Sequence, residues 1–149
     1  MFFVLLQHHL LGTPEKFSIR FMMELEGEDI GRLSRIFDNT TATYKYYWML
    51  SLLDIVRQGR GHQPVSYTEM VARMVSKAWQ PLMTGQFGFG KCDALLDRVK
   101  EMIVHSPLNI NSYEDRVYCY IMANKDSGLV KEIVVKLTKY VPARFLYPW

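Results

Sequence analysis

Apolar residues recur every three or four positions in a series of segments parted by polar, glycine- or proline-containing stretches. That period places them on one face of an α-helix. Tyr44, Tyr47, Trp48, Ser51, Leu52 and Ile55 make the longest such stripe and predict a helix over 42–57. Leu50, Leu53 and Val56 widen its apolar arc, which predicts a central helix contacted on more than one side. Asp38, Asn39, Thr40 and Thr41 precede it as side-chain caps. Residues 29–37 form a shorter amphipathic piece, with Ile30, Leu33, Ile36 and Phe37 on one side.

Downstream, Ser66 and Glu69 have capping-box spacing. The helix they open carries Met70, Val71, Met74, Val75, Ala78 and Trp79 on one face, and Pro81 predicts its end near Gln80. Residues 82–90 read as an irregular, glycine-rich stretch. A helix over 91–104 turns Leu95, Leu96, Val99, Met102 and Ile103 inward. Ser112 and Asp115 are expected to cap the next, which bears Val117, Tyr118, Ile121 and Met122. Ser127 is expected to cap the last, with Leu129, Val130, Ile133, Val134 and Leu137 inward and Pro142 ending it. The run Ile133-Val134-Val135 favours a strand by propensity, but the residues around it keep the helical spacing. No stretch alternates at period two. The reading is an all-α single domain of five to six packed helices over 29–149, with residues 1–28 as a peripheral N-terminal segment.

Composition narrows this picture without naming a function. The chain has 149 residues, of which 49% are hydrophobic and 22% charged, so it buries a substantial core and is not disordered. Cys92 and Cys119 are too few for a disulfide framework, which points to the reducing cytosol. The apolar run at 1–11 is interrupted by Gln7, His8 and His9 and falls short of the ~20 residues of a membrane span. It also lacks the basic start and small-residue cleavage site of a signal peptide, so no membrane partner is expected. Net charge is +3, unevenly spread. Residues 1–42 hold four basic and six acidic side chains, whereas residues 43–149 hold fourteen and nine. A mild excess of cations permits a phosphate-bearing partner.

Candidate chemistry is sparse. Gly85 to Lys91 fits the spacing of a phosphate loop, but Cys92 stands where a hydroxyl would hold Mg²⁺, and no apolar strand precedes it. A helix-entry loop explains the glycines better. His8, His9, His62 and His105 are scattered, with no metal-ligand spacing, and read as solvated loop residues. Cys92 and Cys119 lie on predicted helices and read as packing residues. Tyr44–Trp48 mixes aromatics with Lys45, a composition that serves single-stranded nucleic acid or, more commonly, a core. Tyr46 and Lys45 fall off the buried stripe and suit the surface. No catalytic residue, metal ligand or cofactor site is expected.

Three segments together resemble a known family: 39–48 (NTTATYKYYW), 87–91 (FGFGK) with Asp93 and Leu95, and 141–149 (VPARFLYPW). Residues 70–81, with Ala72, Arg73, Met74, Ala78 and Trp79, match as well. Their order and spacing are similar to the N-terminal helical region of bacterial HNH endonuclease domain-containing proteins, over about residues 29–149. The resemblance implies a helical region standing ahead of a metal-dependent nuclease module. The HNH constellation is not in this sequence, so no catalytic role carries over, and this chain alone is not expected to cut DNA by that mechanism.

The expected role is that of a non-catalytic helical domain of an HNH-endonuclease-like protein that contacts DNA or positions a nuclease module. Lys45, Lys91, Lys131, Lys136, Lys139 and Arg144 are the expected phosphate contacts. The alternative is a protein-interaction module, whose contact surface is the aromatic end formed by Phe145, Tyr147 and Trp149.

Overall fold

The computed structural model describes residues 16–18, 44–60, 63–85 and 94–139. The element order is β1 (Lys16–Ser18), α1 (Tyr44–Arg57), β2 (Pro64–Ser66), α2 (Tyr67–Met83), α3 (Ala94–His105), α4 (Glu114–Ala123) and α5 (Gly128–Thr138). The all-α reading holds: among the described residues five helices form one domain, and the sole strands there are two three-residue pieces. These pair antiparallel, with Phe17 opposite Val65 and Pro64 at the outer end opposite Ser18. The pairing engages three residues of the segment read as peripheral. It is too short to carry a period-two signal. The expected helix over 29–37, the caps at 38–41 and the start of α3 at 91–93 lie outside the described residues.

The centre of the fold is α2, not α1. It touches every other helix, and α3 also packs on α5. Met70, Val71, Ala72, Met74, Val75, Ala78 and Trp79 on α2 are fully buried. A helix apolar around most of its girth is stable only when enclosed. Around it, α1 contributes Tyr47, Trp48, Leu52 and Ile55, α3 Leu95, Val99 and Met102, α4 Val117 and Ile121, and α5 Val130, Ile133 and Leu137. Each set follows the predicted spacing. The expectation that Leu50 and Leu53 add a second buried side to α1 is corrected, because they are 47% and 43% exposed.

The helix ends explain the remaining differences. α2 runs three residues past Gln80, through Pro81. Proline removes one N–H and crowds the carbonyl four residues back, but in a last turn that affects little of the ladder. The Thr84 N–H and hydroxyl both donate to the Gln80 carbonyl, each at 2.9 Å. Gly85, at φ +69°, then turns the chain in the left-handed region. Ser127 caps α5 as expected, accepting from the Val130 N–H at 3.3 Å. Ser112 does not cap α4. Its hydroxyl accepts from the Asn109 N–H at 3.0 Å, which closes the loop before the helix, and Tyr113 occupies the cap without a side-chain bond. That loop is fastened to α2, since the Trp79 indole N–H donates to the Asn109 carbonyl at 2.8 Å. Gln80 donates to the Ile110 and Ser112 carbonyls, each at 3.1 Å.

Two substitutions test these ends by denaturant unfolding. Ser127→Ala is expected to destabilise by about 1 kcal/mol through the lost cap. Tyr113→Ser, at an exposed cap position whose backbone is already extended (φ −72°, ψ 158°), is expected to stabilise by about 0.5–1 kcal/mol.

Candidate functional site

The polar residues of α2 fall in one row. Glu69, Arg73, Lys77 and Gln80 follow one another at intervals of four, four and three, and Arg73 and Lys77 line the crevice between α1 and α4. The upper half of the crevice is built by the end of α1. The Gly59 N–H donates to the Val56 carbonyl at 2.9 Å, and the Arg60 N–H to the Ile55 carbonyl at 3.0 Å. This double closure needs a left-handed residue, and Gly59 has φ +71°. The reversal carries Arg60 back onto α2. Its guanidinium forks onto the Glu69 carboxylate, at 2.5 and 3.2 Å.

Arg73 reaches the same carboxylate from one turn along α2, at 3.0 Å, and also donates to the Gln58 side chain at 2.9 Å. Its guanidinium carbon lies 5.5 Å from the centre of the Tyr118 ring, on α4. Burial pushes the Glu69 carboxyl up, but the hydrogen bonds from Arg60 and Arg73 outweigh it and hold the group below its ordinary value. Burial likewise pushes the Tyr118 hydroxyl up.

Lower down, Lys77 sits between two carboxylates, 2.5 Å from Asp54 on α1 and 3.1 Å from Glu114 on α4. Burial alone would lower its affinity for the proton, yet the bonds to Asp54 and Glu114 raise it. The crevice encloses about 320 Å³, bordered by Asp54, Gln58, Arg73, Lys77, Glu114 and Tyr118 among others. Its charges answer one another: Glu69 meets two arginines, and Lys77 meets two acids. Such an arrangement joins three helices. No group of three or more His, Cys, Asp or Glu converges on a metal position among the described residues.

The sequence-predicted contacts lie elsewhere. Lys131, Lys136 and Lys139 share α5 and its end, all exposed, while Val130, Ile133 and Leu137 face the core. Lys131 lies 3.8 Å from Asp126, and Lys136 pairs with Glu132 one turn away. Lys45 stands half-buried in the first turn of α1, on a different element. Lys91, Arg144, Phe145, Tyr147 and Trp149 lie outside the described residues, as do His8, His9, His62 and Cys92. Two expectations are corrected. Cys119 is exposed on α4 rather than packed, because it falls between the buried Val117 and Ile121. His105 ends α3 rather than lying in a loop.

Sequence reading missed the Arg60–Glu69–Arg73 junction. The i,i+4 pairing of Glu69 with Arg73 was a usable signal. The capping-box spacing drew Glu69 to the helix start instead, and there only half the box forms as expected. The Ser66 hydroxyl accepts from the Glu69 N–H at 3.1 Å, while the Glu69 carboxylate turns to the arginines. No described helix is long and apolar enough to cross a membrane. Comparison with known protein families, with curated proteins and with solved structures finds no match for this chain.

Glu69→Gln tests the junction. Urea unfolding at neutral pH is expected to show a loss of about 2–3 kcal/mol, at the lower end for a broken buried pair because Arg60 is partly in water. The pH dependence follows from the lowered proton affinity. On acidification the unfolded chain protonates Glu69 first, so its contribution is full above the ordinary carboxyl value and fades as pH falls through the lower folded one. Between about pH 6 and pH 3 the wild type should lose more stability than Glu69→Gln. Parallel acid profiles would remove Glu69 from this role.

Proposed function

We propose that this chain is a non-catalytic helical domain of an HNH-endonuclease-like protein, and that it holds DNA through the phosphate backbone. One observation carries the DNA part of the reading: α5 and its end present Lys131, Lys136 and Lys139 to solvent, with Glu132 the only carboxylate on that helix. The ion pairs of Lys131 with Asp126 and of Lys136 with Glu132 are solvent-exposed. Exposed pairs are worth between zero and about 1 kcal/mol, so a phosphate competes readily for these lysines. α3, packed beside α5, adds Lys100, which is exposed and has no ion pair among the described residues. The kinship part rests on the three sequence segments alone.

The crevice is the poorer site for a phosphate. Its arginines and its lysine are already engaged by Glu69, Asp54 and Glu114, so a phosphate there would have to displace buried or half-buried partners. The exposed ion pairs of α5 present a far smaller barrier. Phosphate contacts of this kind position a duplex without reading its sequence.

The test is binding of a labelled duplex across a salt series from about 50 to 200 mM. The expected result is affinity that falls steeply with salt. Lys131→Glu combined with Lys136→Glu and Lys139→Glu should weaken binding tenfold or more at low salt. The same triple change should flatten the salt slope by roughly 0.9 for each phosphate that is no longer neutralised. Binding that is missing at low salt, or that ignores this triple change, overturns the DNA reading.

A further inference from the structure

The outer side of α1 carries Tyr46, Leu50 and Leu53, exposed by 37%, 47% and 43%, and Arg57 continues the row one turn further on. The spacing along the row is four, three and four residues. Steps of this kind keep the four side chains within about 60° of arc. They match the seam of a coiled coil, where core positions recur about every 3.5 residues. Met49 and Val56, both half-buried, flank the row on one side. Arg57 is exposed and has no ion pair among the described residues. A contiguous exposed apolar stripe on a folded domain marks a protein contact.

The order of the row says which partner fits it. Four, three, four reads the same in both directions, so a second copy of α1 laid antiparallel about a two-fold axis meets it in register. Leu50 then faces the partner's Leu53, and Leu53 the partner's Leu50. At each end Tyr46 faces the partner's Arg57, where a guanidinium over a phenol ring gains a cation–π contact. On the flank, Met49 lies toward the partner's Val56. A parallel pair would set Arg57 against the partner's Arg57. The antiparallel pair parts these two charges by the rise of eleven residues, about 16 Å.

We propose that this face of α1 binds a second copy of the chain, α1 packing antiparallel on the partner's α1 through Leu50 and Leu53, with Tyr46 on the partner's Arg57. A single helix of 14 residues is about 21 Å long, so the contact buries less than the ~1,200 Å² of stable interfaces. The dimer is therefore weak, with a Kd of about 10 μM to 1 mM. The inference is independent of DNA binding, which is placed on α5, and either can fail alone.

Sedimentation equilibrium of the full chain without DNA, from about 10 μM to 1 mM, should show reversible dimerisation. Leu50→Glu and Leu53→Lys, both at exposed positions, should each weaken the dimer tenfold or more while the helical circular dichroism stays unchanged. Mixed in equal amounts, the two variants should associate at least tenfold more tightly than either alone. The antiparallel register sets the new carboxylate of one against the new ammonium of the other, and a parallel pair would not. Arg57→Gln, which keeps both leucines, should weaken the dimer about two- to fivefold. A wild type that stays monomeric throughout the range leaves the face to a different protein and overturns the proposal. So would a dimer that the leucine variants leave intact, a mixture no tighter than its components, or an Arg57→Gln dimer as tight as the wild type.

Discussion

A helix buried on most sides can carry charge only where every charge finds a partner. α2 does so along one row, in which Glu69, Arg73 and Lys77 occupy successive turns. Two of these groups are attractive to each other, and the rest of the pairing comes from outside: Arg60 and Asp54 from the neighbourhood of α1, Glu114 from α4. Removing one outside partner leaves Glu69 with Arg73 alone, or Lys77 with a single carboxylate, a charge only half compensated in its partly buried place. The row thus sets where α1 and α4 sit relative to α2. Apolar contacts, which lack direction, do not fix that placement so narrowly.

This division of labour separates what could be read in the sequence from what could not. Helix existence and inward faces were legible because burial imposes a 3.6-residue period. Val117 and Ile121, or Val130, Ile133 and Leu137, announce themselves without any knowledge of their neighbours. Which helix is central was not legible. α1 is richer in aromatics and leucines, yet α2 is the enclosed one, and its charged row disguised that fact as amphipathicity. The Arg60–Glu69 pairing was hidden for another reason. It depends on the chain reversal at Gly59, and a loop glycine does not say which residue it will aim at which helix.

The surface chemistry divides in a similar way. The lysines of α5 were visible as a charge bias, and the helix gathers them on its outer side because the opposite side is apolar. Lys45 belongs to another helix and shares no element with them. A basic run in a sequence becomes a patch only when the period of its helix agrees with its spacing. Lys136 and Lys139, three residues apart, come nearest to that condition, and Lys131 completes a broader outer face.

The strand pair has a consequence for the order of assembly. Phe17 and Val65 are separated by roughly fifty residues, and closing a loop of that length costs on the order of 3 kcal/mol in chain entropy. A ladder of three residues offsets little of this by itself. β2, however, leads directly into α2, whose burial holds it in place at no further cost. β1 therefore has a template only once the helices have gathered, and Lys16–Ser18 join the fold as its last recruits.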